Sequence, residues 1–205
     1  MREYLKLYLI ADYLYFDDKF YDKVKLAIRG GVTAVQFRFK GIEDKVAFEI
    51  GTRLRDICAE LNVPFFVNNR PDFALLLGAD GVHVGQEDLN VDDVRRILPG
   101  RIIGVSVGSE EEYKNIKDTD FDYLSFGSVF ATSTKSDAGE PLGLDGLRRL
   151  VAISGSVPKI AIGGITLDNV KNVVECGVDG VAVASAILTS GNVEKTAKRF
   201  REIIG

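Results

Sequence analysis

In AVQFRFK, Gln36, Arg38 and Lys40 are polar side chains spaced two residues apart. In an extended chain that spacing puts them on one face, with Val35, Phe37 and Phe39 on the other. The apolar face must meet covering helices, so the strand aims an amide and two cations inward. Buried cations are costly to desolvate unless something compensates them. A ligand anion would do so, and so would acidic residues on neighbouring strands in a buried ion-pair network. FATSTKSDAGEPLG adds Thr132, Ser133, Thr134 and Lys135, three hydroxyls and an ammonium within four residues of a loop long for its place. Alone, such a cluster is ordinary solvated loop; at the end of a strand it points to a ligand. Gly163 and Gly164 in AIGGIT, before a helix expected to begin near Thr166, and Ser185 in ASAI suit close approach of backbone to a phosphate. Asn68 and Asn69 end FFVNN, and Asp88 ends GQED. Together they offer oxygens to a Mg²⁺ ion that keeps waters and takes phosphate oxygens, with capping of a nearby helix the alternative for Asp88. Ser106, at a strand end, is a hydrogen-bond donor to an anion or a partner for backbone. His83 lies between valines in mid-strand, where packing or a structural hydrogen bond outweighs a catalytic role.

These residues need a frame that gathers strand ends. Short β-branched or aromatic runs alternate with helical patterns along the whole chain, the signature of βα units around a parallel sheet. Eight strands are expected at 5–11, 34–40, 64–68, 81–85, 101–107, 123–130, 158–163 and 180–186. Between them, Val46, Ile50, Leu54, Ile57 and Leu61 share one helical face, as do Val193, Ala197, Phe200 and Ile204. Ser109 with Glu112 forms a capping box, and Asn90, Thr166 and Asn192 stand at expected N-caps. LLLGADGVHVG and VECGVDGVAVA are a weak internal repeat of like units. An open doubly wound sheet would need a glycine-rich turn after the first strand, and Ala11-Asp12-Tyr13-Leu14 is not one. The expectation is one α/β domain over residues 1–205, a (β/α)8 TIM barrel with its active site at the C-terminal ends of the strands.

Composition narrows the function. A chain of 205 residues that is 46% hydrophobic can bury one substantial core. A net charge of −4 argues against a nucleic-acid partner, which needs a basic surface. The apolar runs are too short for a membrane span, and charges interrupt the N-terminal ones, so the expected location is cytoplasmic. Cys58 and Cys176 lie far apart and read as buried free thiols. A homo-oligomer is compatible with all of this. One histidine excludes mechanisms built on histidine pairs.

The motifs QFRFK, NNR, GADGVHVGQED, GVS, FGSVFATSTK, PLGLDGL, AIGGI and DGVAVASAI occur in this order over nearly the whole chain. With these motifs the chain resembles thiamine-phosphate synthase, the GxHxGQED and TxTK segments being most specific. The resemblance implies a (β/α)8 barrel that joins a hydroxymethylpyrimidine pyrophosphate to a thiazole phosphate, giving thiamine phosphate and pyrophosphate. It implies that Arg38, Lys40, Ser106 and Lys135 hold the pyrophosphate with Mg²⁺ and act catalytically, and that Gln36 and Asn68 belong to the same substrate site. Thr132, Thr134, Gly164, Ala184 and Ser185 would receive the thiazole phosphate, and Phe39 and Ser133, inside the motifs, count with the substrate-binding residues. Asn69 and Asp88 take the metal positions. The family usually has Asp where this chain has Asn69, commonly His at Gly108, and a bulkier aliphatic residue at Ala184. A related thiazole tautomerase uses a histidine just after the fifth strand, where this chain has Val107 and Gly108. A paralogue that only binds thiazole phosphate or thiamine phosphate is the non-catalytic alternative, with Asn69 as its mark.

Overall fold

A computed structural model describes residues 3–132 and 140–205 of the chain. Its strands are β1 (Leu7–Asp12), β2 (Ala34–Arg38), β3 (Phe65–Asn68), β4 (Gly81–Val84), β5 (Ile102–Val107), β6 (Tyr123–Phe126), β7 (Lys159–Ile162) and β8 (Gly180–Val183). Each pairs in parallel with the next, and β8 pairs back onto β1, closing the (β/α)8 barrel. All eight expected strands are present.

Two of them stop three or four residues before the expected end. The run VAVASAIL yields the ladder only to Val183 and turns helical at Ser185–Leu188, because periodicity alone does not separate a buried strand from a buried helix. After β6 the ladder also ends, yet the Val129 and Phe130 N–H groups donate to the Ile162 and Gly163 carbonyls at 2.8 and 3.0 Å. The chain therefore still runs beside β7, where the sequence reads as strand to 130.

The helices are α1 (Phe20–Arg29), α2 (Asp44–Glu60), α3 (Pro71–Leu77), α4 (Val91–Ile97), α5 (Glu110–Ile116), α6 (Gly143–Ser154), α7 (Val170–Val174), α8 (Ser185–Leu188) and α9 (Val193–Ile204). Side-chain oxygens of Asn90, Ser109 and Asn192 accept from the backbone N–H three residues on, as their caps predict. Thr166 does not cap a helix. Its N–H donates to Asn169 Oδ1 in a turn, and α7 begins only at Val170. The buried face of α9 is the expected one. That of α2 is rotated slightly: Ala47, Ile50, Gly51, Leu54, Ile57 and Cys58 are buried while Val46 is exposed, so that small Ala47, Gly51 and Cys58 share the packed face with Ile50, Leu54 and Ile57.

One device recurs at the closed end of the barrel. Thr33, Asp80, Asp122 and Asp179 each precede an even-numbered strand, and their side-chain oxygens accept the N–H of Leu7, Phe65, Ile103 and Lys159 at or next to the start of the preceding odd one. The internal repeat around Asp80 and Asp179 is thus a register clamp. Above it, Leu5, Tyr8, Phe66 and Tyr123 fill the barrel interior, and a larger apolar layer lies between strands and helices. Both cysteines are free and buried, and burial pushes the Cys58 thiol up to about 12, which removes it as a nucleophile. Among the described residues no helix is long and apolar enough to cross a membrane.

Candidate active site

A cavity of about 880 Å³ opens at the C-terminal ends of the strands. The inward face of β2 supplies Gln36 and Arg38, and Lys40 follows beyond the strand end. Phe39 is not there: it points outward, stacked on Phe37 and tilted against Phe73, with ring centroids 4.9 Å from each. Alternation along β2, which sends Phe39 to the helix side, explains why that substrate-binding expectation does not hold.

Asp12 is a site residue that the sequence reading missed. It ends β1 in register with Arg38, and its Oδ2 lies 2.5 Å from Arg38 Nη1. Its other oxygen accepts the Leu14 N–H at 3.0 Å. The ion pair expected as an alternative for the β2 cations is therefore present at Arg38, and it orients the guanidinium while Arg38 still lines the cavity. The signal was available: Tyr8, Ile10 and Asp12 alternate on β1 as Gln36 and Arg38 do on β2.

Asn68 and Asn69 lie at the end of β3. Asn68 accepts from Gln36 Nε2 at 2.8 Å, and Asn69 donates its N–H to the His83 carbonyl at 2.8 Å. Asn69 has φ 62°, a left-handed conformation that Asn and Asp tolerate better than other residues with a side chain. After β4, Asp88 folds back so that its Oδ2 accepts the Gly85 N–H at 2.7 Å, leaving Asn90 to cap α4. Both Asn69 and Asp88 face the cavity. Among the described residues no three His, Cys, Asp or Glu side chains cluster as a metal site. One carboxylate and one amide fit a Mg²⁺ ion that obtains its other oxygens from waters and a phosphate.

Ser106 lines the cavity at the end of β5, with His83 Nε2 2.9 Å from its Oγ. His83 is buried, and Nδ1 lies 2.9 Å from the Tyr123 hydroxyl, the structural hydrogen bonding expected of it. On the β7–β8 side Gly164, Ala184 and Ser185 line the cavity, and Thr132 reaches it from the β6 loop. Ser133, Thr134 and Lys135 lie outside the described residues. The glycine pair has a second reason beyond ligand approach. A Cβ on Gly163 would sit 1.9 Å from Ser128 Oγ, and one on Gly164 2.6 Å from the Ala131 carbonyl, so the β6 loop packs against them. At Gly108 the backbone N–H donates to Glu112 Oε2 at 2.6 Å.

A family model described as thiamine monophosphate synthase matches residues 7–187. The chain is 45% identical to thiamine-phosphate synthase of Archaeoglobus fulgidus, covering 100% of this chain and 95% of that one. It is 40% identical to thiamine-phosphate synthase 1 of Streptococcus pneumoniae, over 98% of each. Thiamine phosphate pyrophosphorylase from Pyrococcus furiosus superposes with a TM-score of 0.89 at 40% identity, covering 99% of this chain and 96% of that one. With the barrel and its polar mouth, these matches show that the chain belongs to the thiamine monophosphate synthase family.

Proposed function

We propose that the protein is a thiamine-phosphate synthase. It would condense 4-amino-2-methyl-5-(diphosphooxymethyl)pyrimidine with a thiazole phosphate, giving thiamine phosphate and pyrophosphate, in the cytoplasm. The observation that carries the reading is Arg38, oriented by Asp12 at the mouth of a cavity that Lys40 also lines. As the methylene–oxygen bond breaks, its electron pair leaves with pyrophosphate, and the thiazole nitrogen lone pair then forms the new carbon–nitrogen bond. Negative charge grows on the departing group, so fixed cations stabilise the transition state more than the ground state. Lys135 would join Arg38 and Lys40 in that role. Gly164, Ala184, Ser185 and Thr132 would receive the thiazole phosphate. Mg²⁺, held by Asp88 and Asn69, would neutralise pyrophosphate charge.

Incubating the protein with both substrates and Mg²⁺ tests this directly. Thiamine phosphate and pyrophosphate should form in equal amounts. Isomerised thiazole without coupling would support the tautomerase reading, and binding without turnover the non-catalytic one. The tautomerase reading is disfavoured because Val107 and Gly108, at the end of β5 and just after it, supply no histidine, while the threonine/lysine segment 132–135 is kept.

Asn69 bears on the metal. Because φ at this position already suits Asp, Asn69→Asp adds a carboxylate without new backbone strain. We expect the Mg²⁺ concentration for half-maximal activity to fall about tenfold, the effect of one charge-assisted contact. An identical Mg²⁺ titration in the two proteins would remove Asn69 from the metal site.

A further inference from the structure

Beneath the mouth, a chain of hydrogen bonds links six side chains from six strands. Ser106 Oγ and His83 Nε2 are 2.9 Å apart, His83 Nδ1 and the Tyr123 hydroxyl 2.9 Å, the two hydroxyls of Tyr123 and Tyr8 3.0 Å. Tyr8 and Gln36 Oε1 are 3.1 Å apart, and Gln36 Nε2 and Asn68 Oδ1 2.8 Å. Both ends, Ser106 and Asn68, line the cavity.

Proton counting gives this chain a direction. A carboxamide oxygen only accepts, so the Tyr8 hydroxyl donates to Gln36 Oε1. Tyr123 then donates its one proton to the Tyr8 oxygen. With that proton committed, the contact to His83 needs an Nδ1–H on the ring. A neutral ring so protonated has a bare Nε2, which takes the proton of Ser106. At the far end Gln36 donates to Asn68 Oδ1 and leaves the Asn68 NH₂ as the outward group. All five bonds are donated in one sense, from Ser106 towards Asn68. Tyr8 and Tyr123 are fully buried, and burial raises both phenol pKa values, so each remains a proton donor.

We propose that His83, Tyr123 and Tyr8 are positioning residues that fix the polarity of the substrate pocket, presenting Ser106 as an acceptor and Asn68 as a donor. Ser106 then receives an N–H of the substrate instead of donating to a phosphate oxygen, which departs from the role that the family resemblance implies for it. A matching ligand is a neutral heteroaromatic ring with an amino group beside a ring-nitrogen acceptor. This inference rests on the proposed function, where the aminopyrimidine substrate has that pattern. An analogue with an oxo group in place of the amino group has it reversed. Specificity follows because each mispaired buried polar group costs more than a good pair gains.

The chain contains one histidine, so ¹⁵N NMR of uniformly labelled protein reads its tautomer without assignment ambiguity. Near neutral pH, His83 should carry its proton on Nδ1. A dominant Nε2–H form or a doubly protonated ring would overturn the proposal. Tyr8→Phe removes the acceptor of the Tyr123 proton, two hydrogen bonds away from His83. That proton should then turn to Nδ1 and move the ring to the Nε2–H form, which loss of packing alone would not do. In the same variant KM for the pyrimidine substrate should rise about tenfold, as for one mispaired hydrogen bond, with the thiazole phosphate KM little changed. An unchanged tautomer, or equal shifts in both KM values, would sink the positioning role. Tyr123→Phe, expected to give a mixture of tautomers, is the second variant if Tyr8→Phe fails to fold. Absence of synthase turnover in the wild type would count against the proposed function alone, because the tautomer measurement needs no turnover.

Discussion

Arg38→Met should lower turnover by about 10²-fold or more, the scale seen when one stabiliser of developing charge is removed. The same change should also lower the melting temperature, because it strands the Asp12 carboxylate, whose side chain is 3% exposed, without its partner. Breaking such a pair costs on the order of 3 kcal/mol, or roughly 6–12 °C for a chain of this size. Those two effects have different cures. In Asp12→Asn with Arg38→Met no charge is stranded, and the Asn oxygen can still accept the Leu14 N–H that Asp12 accepts now. The double variant should regain most of the melting temperature and remain slow. Melting curves and steady-state rates on wild type, single and double variants decide the matter. Recovery of turnover together with stability would mean that Arg38 serves the barrel and not the reaction.

The second large effect is expected at Gly104, on the inner face of β5. A Cβ there would lie 2.2 Å from Cζ of Tyr123 and 2.5 Å from His83 Nδ1. Tyr123 has no room to retreat: it is fully buried, with the rings of Phe66, Tyr8 and Tyr4 packed around it at centroid distances of 6.1 to 6.4 Å. Overpacking of this kind reaches about 3 kcal/mol, so Gly104→Ala should melt roughly 10 °C lower. It should also perturb the His83–Tyr123 hydrogen bond and raise KM for the pyrimidine substrate. Gly191→Ala provides the control, since an added Cβ there meets nothing within 4 Å. Equal melting of the two variants would refute the packing account of the barrel interior.

Much of the barrel was legible because burial imposes periods on the chain. The eight strands appear as short β-branched or aromatic runs, and the caps at Asn90, Ser109 and Asn192 are local hydrogen bonds that need no tertiary information. Period failed where a helix is little more than one turn long, as at Ser185–Leu188, and where a turn satisfies what a cap would, as at Thr166. For the site, alternation on β2 was enough to aim Gln36 and Arg38 inward. The same rule put Phe39 outside, against its inclusion among the binding residues on motif grounds.

By itself, then, the sequence determined the strand count, the inward polar face of β2 and the oxygen-bearing ends of β3 and β4, since each follows from neighbours along the chain. Only the tertiary structure decided which partners those groups meet. Asp12 reaches Arg38 across 26 positions, and Tyr8 reaches Tyr123 across 115. The first pair follows from the register of β2 on β1, and the second from barrel closure, which turns residues of β1 and β6 toward one axis. The direction of the hydrogen-bond chain from Ser106 to Asn68 arises the same way. It depends on how many protons each group has left after its neighbours are counted, and those neighbours are distant in sequence.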